Sequence, residues 1–364
     1  MIRGSTNYFV GRREEQDDFK AFCDHVHQKK ATGSFLIQGA TGSGKSVLIK
    51  QFEKKIIDPK RWQISHLSPY GIVDLLCWRE AFGLKKHRRF YQKEYIVLRH
   101  SKTGQGEGIP AWADWIQKSL KEVTKPILLI TDEAQMLASK AEYDDWKSIV
   151  QTILQSWHLL KSPHGLVWLI VGLGNTEWVF KAYGFQTQAL HHRVNLGSFS
   201  EAEERDYWDH ETVGTRSITD AEWQTIRKET QGWPLHVDNY TETWLTNQKR
   251  IHAPIDDYFQ EARKNQEVFF RTRLNSFEGT ALKFLLLYLQ HYPQSKFDHF
   301  VRQVKTYDIQ SKPEEFLVEV IRKGILGETK QQDLWEGIPG LHDYFIHHSY
   351  EGKRLKSLLS SKNY

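Results

Sequence analysis

The segment Gly39-Ala40-Thr41-Gly42-Ser43-Gly44-Lys45-Ser46 constrains this chain more than any other. It follows a short apolar run, Ser34-Phe35-Leu36-Ile37-Gln38. It precedes Val47-Leu48-Ile49-Lys50-Gln51-Phe52-Glu53, where Leu48, Ile49 and Phe52 recur at helical spacing. The order is strand, glycine-rich turn, helix. Gly39, Gly42 and Gly44 admit backbone turns closed to other residues and let N–H groups approach an anion. A helix starting near Lys45 points the positive end of its dipole at the same place. Lys45 brings a charge for β- and γ-phosphates, and Ser46 brings a hydroxyl ligand for Mg2+. The whole loop, Ala40, Thr41 and Ser43 included, is therefore expected to hold ATP with Mg2+. The alternative is a Gly/Ser turn with an incidental lysine.

A second signal is Lys125-Pro126-Ile127-Leu128-Leu129-Ile130-Thr131-Asp132-Glu133. The apolar run suits a strand buried on both faces, with two carboxylates where it ends. Asp132 is the candidate Mg2+ ligand. Glu133 is the candidate base that orients and activates the attacking water. A solvated acidic turn is the alternative. The long interval from Lys45 to Asp132 leaves room for a strand over 61–67 and a helix over 111–123. A third apolar strand, Leu166-Val167-Trp168-Leu169-Ile170-Val171-Gly172, runs on through Leu173-Gly174 to Asn175. Asn175, with Thr176 next in line, is the candidate to touch the γ-phosphate or the water. A fourth strand is expected over His191-His192-Arg193-Val194-Asn195-Leu196. Arg193 is either a surface arginine or one that reaches a neighbouring subunit's γ-phosphate. Such an arginine is worth roughly 10³–10⁵ in rate in other phosphoryl-transfer enzymes.

Composition narrows the class. The chain has 364 residues, enough for two or three domains, with 39% hydrophobic and 26% charged residues. No stretch approaches the roughly 20 apolar residues of a membrane helix. The first residues, Met1 to Ser5, lack the apolar run of a secretory signal. Cys23 and Cys77 make neither a zinc pattern nor a disulfide framework. A cytoplasmic protein with no membrane partner is expected. The net charge of +5 is weak for this length and does not by itself argue for nucleic acid.

Taken in order, these motifs resemble the AAA+ superfamily, in particular its initiator-like and STAND-like ATPases, over roughly residues 8 to 245. Tyr8-Phe9-Val10-Gly11-Arg12-Arg13-Glu14-Glu15 is similar to the segment that packs against adenine in that branch. The resemblance puts Val10, Gly11 and Arg12 near the base. It puts Asn175 at the polar position after the third strand. Ser200-Glu201-Ala202-Glu203 and Thr219-Asp220-Ala221-Glu222 are capping boxes that open helices. Gly232-Trp233-Pro234-Leu235-His236 resembles the Gly-x-Pro step of the small helical lid. Many members carry an arginine just after that step; Leu235 and His236 stand there instead. His236 either takes part of that nucleotide-sensing role or is simply packed.

The expected fold class is α/β: a P-loop three-layer αβα core with a parallel sheet, a helical lid and a C-terminal winged-helix-like α+β domain. The expected boundaries are 1–198 for the core, 199–246 for the lid, 247–276 for a helical linker, 277–350 for the winged-helix-like domain and 351–364 for a tail. In the C-terminal part, helices are expected over 279–289, 297–307 and 313–324, the last with Pro at its first turn and Gly at its end. A hairpin over 325–327 and 333–337 and a final helix over 339–348 follow. The third helix carries Glu314, Glu315 and Glu319 against Arg322 and Lys323, a poor balance for phosphate contact. The better basic patch is Lys85-Lys86-His87-Arg88-Arg89-Phe90-Tyr91-Gln92-Lys93, followed by Arg99, His100 and Lys102. Charges beside stackable rings suit DNA or RNA strands, although charge runs are usually solvated faces.

The expected function is a slow, partner-stimulated ATPase that acts as a switch through nucleotide-dependent oligomerisation or lid motion, controlling a partner or a nucleic-acid complex. Phage defence and mobile elements are settings that the fold-level analogy suggests. The alternatives are an initiator-like DNA-binding loader and a nucleotide-stabilised scaffold for an effector protein. A homo-oligomer is expected.

Overall fold

The computed structural model describes residues 11–73, 75–84, 108–140, 144–183, 185, 192–215, 218–247, 257, 259–275, 277, 281, 285, 294–306, 313–329 and 334–341. Val10, the basic segment 85–102, most of the stretch 279–289, the stretch 342–348 and the tail 351–364 lie outside the described residues.

Five strands make one sheet: β1 (Thr32–Gly39), β2 (Gln63–His66), β3 (Ile127–Thr131), β4 (Leu166–Gly172) and β5 (His192–Leu196), in the order β2-β3-β4-β1-β5. β4 runs parallel to β1 and β3, pairing Leu169 with both Phe35 and Ile130. β3 and β4 are buried at every position. Helices on both faces explain why these strands read as continuous apolar runs rather than alternating ones.

Successive side chains point to opposite faces of a strand. Phe35 meets Phe19 of α1 (Arg13–Lys29) edge-on at 5.1 Å, and Phe19 stacks on Phe52 at 4.0 Å. Leu36, Ile127, Leu129, Trp168 and Ile170 instead join a cluster with Trp78 of α3 (Leu75–Ala81) and Ile116 and Leu120 of α4 (Gly108–Lys121). The same cluster takes in Ile153 of α5 (Asp144–Ser156) and Trp157 just after it. Trp157 lies 4.7 Å from Trp168. Such aromatic contacts add about 0.5–1.5 kcal/mol each to area burial. The helix expected after the glycine loop is α2 (Lys45–Gln51), and it passes into a π-turn over Phe52–Ile56. There the Ile57 N–H reaches the Phe52 carbonyl, at 2.9 Å.

Two compact units divide the chain. The first comprises Arg12–Gln38 and Lys45–Val194; the second takes in Gly11, the loop Gly39–Gly44 and the described residues from Asn195 onward. The second contains α7 (Glu201–Glu211), α8 (Asp220–Thr230), α9 (Pro234–Asn247) and α10 (Gln260–Leu274), while α6 (Thr176–Ala182) belongs to the first. Both capping boxes form. Ser200 Oγ accepts from the Glu203 N–H at 3.2 Å, and Thr219 Oγ1 from the Glu222 N–H at 3.3 Å. Trp208, Trp223, Ile226, Val237, Tyr240, Trp244 and Phe259 form the core of this part. Inside it, Glu204 is fully buried and accepts from Arg227 and Thr230. Burial pushes its carboxyl up, against the opposing pull of those two donors.

Farther on lie α11 (Phe297–Thr306), α12 (Pro313–Arg322) and an antiparallel sheet in the order β6-β8-β7, from β6 (Gln294–Lys296), β7 (Leu326–Glu328) and β8 (Leu334–Gly337). Phe316 packs against Phe277 and Phe300 at about 6 Å between ring centroids. The hairpin follows the sequence pattern. β6, too short to have a period, and α1 go beyond the elements read from it. The architecture is α/β: a P-loop three-layer core with a parallel sheet, a helical lid and a winged-helix-like C-terminal part.

Candidate functional site

β1 is buried from Gly33 to Gly39 and delivers the chain to the glycine loop. Gly42 and Gly44 have φ of +88° and +91°, which side chains rarely adopt, so the loop requires glycine at both. α2 begins at Lys45, whose side chain is mostly buried.

Within the first unit, four candidates converge. Ser46 Oγ lies 3.5 Å from Asp132 Oδ2, just past the end of β3. Burial raises the Asp132 carboxyl above its usual range, the Glu133 charge adds to this, and Lys45 and Ser46 oppose it. The Glu133 N–H donates to Asp132 Oδ1 at 2.8 Å. Glu133 itself is exposed and has φ of +52°, an uncommon backbone state for glutamate. Gln135 Nε2 donates to the Glu133 carboxylate, while Gln135 Oε1 accepts from the Leu173 N–H at 3.0 Å. That second bond fixes which end of the amide faces Glu133. In the sequence Gln135 closes the acidic segment Asp132-Glu133-Ala134-Gln135 with no role of its own.

Asn175 stands at the start of α6, 3% exposed, with its Oδ1 unpaired. The Thr176 hydroxyl is used locally, donating to the Leu173 carbonyl at 2.6 Å. Arg193 Nη1 donates to Glu177 Oε2 at 2.7 Å, and Lys181 pairs with the same carboxylate at 2.6 Å. Burial pushes the Glu177 carboxyl up, but its bonds to Lys181 and Arg193 outweigh this and hold it below the usual value. Arg193 is thus engaged within its own chain. Arg12 is buried with φ of +55°, its Nη1 3.7 Å from Glu15 Oε1.

Within the second unit, the loop residues Gly39–Gly44 meet two other segments. The Thr41 N–H donates to the Gly324 carbonyl at 3.0 Å, and a Cβ on Gly327 would lie 2.6 Å from the Ala40 nitrogen. The Leu235 N–H donates to the Gly42 carbonyl at 3.1 Å. Gly11, with φ of +75°, packs beside Phe199 and Glu203. His236 is buried against Phe269 and Phe270, with its Nδ1 2.8 Å from Gln266 Nε2. Burial lowers its pKa to about 3.

The donor set fits a nucleotide with Mg2+. No group of three or more His, Cys, Asp or Glu among the described residues is able to hold a metal alone. A hydroxyl and one carboxylate are what Mg2+ uses when phosphates and waters complete its shell.

Among solved structures, the chain is similar to the Walker-type ATPase PABY2304 of Pyrococcus abyssi. The TM-score is 0.57 at 12% identity, over 94% of this chain and 97% of that one. It is also similar to the ORC2 protein of Aeropyrum pernix, solved as ADPNP-ADP complexes, with a TM-score of 0.52 at 12% identity over 98% and 97%. The chain shares the overall fold of these two structures. No protein-family model and no curated protein sequence matches it. The likeness is therefore one of three-dimensional fold. No helix among the described residues is long and apolar enough to cross a membrane.

Proposed function

We propose that the chain binds ATP with Mg2+ at residues 39–46 and hydrolyses it. The observation that carries this reading is the approach of Ser46 Oγ to Asp132 Oδ2 at the start of the helix that follows the glycine loop. Ser46 and Asp132 would hold Mg2+, which when bound neutralises developing phosphate charge. Lys45 and the loop N–H groups bind and orient the phosphates. Glu133 takes a proton from the attacking water, with Gln135 holding its carboxylate. Asn175 offers its side chain to the water or the terminal phosphate. Val10, Gly11 and Arg12 serve the base, and His236 is a packing residue of the lid. The domain boundaries proposed remain 1–198, 199–246, 247–276, 277–350 and 351–364.

Turnover is slow and stimulated by a partner. The pairing of Arg193 with Glu177 supports this, because that arginine is held by its own chain. ATP-dependent oligomerisation or lid motion then controls a partner or nucleic-acid complex. DNA or RNA contact through 85–102 is a second reading, favoured by the five charges that flank Phe90 and Tyr91. It predicts binding at about 50 mM salt that collapses as salt rises. An effector docking on acidic α12 is its competitor.

The test is Mg2+-dependent ATP turnover by wild type and Glu133→Gln. Turnover falls at least about 100-fold in the variant while ATP binding persists. Equal turnover in both removes Glu133 as the base.

A further inference from the structure

The amino end of α9 lies against the glycine loop. The Leu235 N–H donates to the Gly42 carbonyl, and a Cβ on Gly44 would sit 3.7 Å from Pro234. The other first-turn donors are already committed. Pro234 has no N–H, and those of His236 and Val237 go to the Trp233 carbonyl at 2.8 and 2.9 Å. One donor is left over. Trp233 is 1% exposed, and its indole Nε1 has no hydrogen-bond partner. The same atom is the one nearest to a Cβ built on Gly42, at 2.7 Å.

A buried N–H without an acceptor is uncommon and costly, so it calls for an explanation. Trp157 and Trp208 also carry buried, unpaired indole nitrogens, but each sits inside an apolar cluster. Trp233 instead turns its polar edge to the glycine loop, where the missing side chain of Gly42 lets the indole nitrogen come this close. The segment Gly232–His236 brings no cation there. Leu235 is apolar, and His236 is buried among Phe269, Phe270 and Gln266.

We infer that Trp233 is a nucleotide-binding residue whose indole N–H donates to a phosphate oxygen held at Gly42. The inference rests on the reading of residues 39–46 as an ATP site. The lid thereby supplies a neutral, directional donor. A buried donor of this kind is little weakened by salt, unlike an exposed charge.

Trp233→Phe keeps a flat apolar ring and deletes the N–H. Calorimetric titration of the full chain with ATP and Mg2+ is expected to give a Kd about tenfold higher in the variant, equal to about 1.4 kcal/mol. The melting temperature without nucleotide should fall by a few degrees, the cost of a smaller ring in a buried site. A second readout does not depend on the variant folding: wild-type chain labelled with 15N at the Trp233 indole, whose N–H resonance moves downfield on addition of ATP. If wild type binds ATP but the resonance stays put and the variant's Kd is unchanged, the role of Trp233 is overturned and the ATP site stands. If wild type binds no ATP, both are overturned.

Discussion

The backbone N–H of Thr41, inside the glycine loop, donates to the carbonyl of Gly324, which follows α12, at 3.0 Å. Three residues on, Gly327 comes so close to Ala40 that a side chain would strike its backbone nitrogen at 2.6 Å. Asn195 Nδ2 adds a bond to the Thr329 carbonyl at 3.1 Å. The β7 hairpin is therefore fitted to the loop by backbone contact, which leaves little give for added atoms.

Gly327→Val is accordingly expected to destabilise the chain by about 1–3 kcal/mol, the usual cost of overpacking. A lower urea midpoint with an unchanged slope checks this. An unchanged midpoint means the hairpin moves aside at no cost.

The Glu177 carboxylate gathers Arg193 and Lys181 and is held below its usual pKa. A depressed carboxylate stabilises the fold above its unfolded value, about 4.3, and that contribution fades as pH falls through the folded value. Glu177→Gln should lose about 1–3 kcal/mol at pH 7, in the range for hydrogen bonds to a charged group. The gap between variant and wild type should close in acid. Denaturant melts at several pH values measure it, and a gap independent of pH counts against an ionic role.

His236 works in the opposite sense to most histidines with partners. Its folded pKa lies near 3, below the ordinary 6.5, because burial disfavours the charged ring. The unfolded chain binds the extra proton between those values, so stability drops as pH falls below about 6.5, by up to about 1.4 kcal/mol per pH unit. His236→Leu should flatten that slope. Unchanged acid sensitivity in the variant would assign the slope to other groups.

Much of this was legible beforehand, for physical reasons. β3 and β4 are covered on both faces, so Ile127–Ile130 and Leu166–Val171 show as unbroken apolar runs. The loop is legible because Gly42 and Gly44 occupy positive φ. Capping boxes are local patterns, and both form. Contacts that only the folded chain creates were not legible. Gln135 is tied to Leu173 across two strands, Trp233 meets Gly42 from the far side of the sequence, and Arg193 finds Glu177. None of these pairs has a spacing that betrays it. The π-turn at Phe52 likewise has no periodic signature.

The amide of Gln135 reaches Glu133 while Leu173 fixes its orientation. Gln135→Ala is expected to lower kcat for ATP about tenfold or more, on the scale of losing part of a general base's contribution. The Kd for ATP should be unchanged. Single-turnover rates alongside calorimetry separate the two. A shift in Kd with kcat intact would make Gln135 a binding residue instead.

ATP binding at residues 39–46 is tested most directly by calorimetric titration of the folded chain with ATP and Mg2+, set beside Lys45→Ala. Saturable heat at one site is expected in wild type and its loss in the variant, with the two proteins melting alike in the absence of nucleotide. Wild type that melts cooperatively yet gives no saturation with ATP contradicts binding at that site.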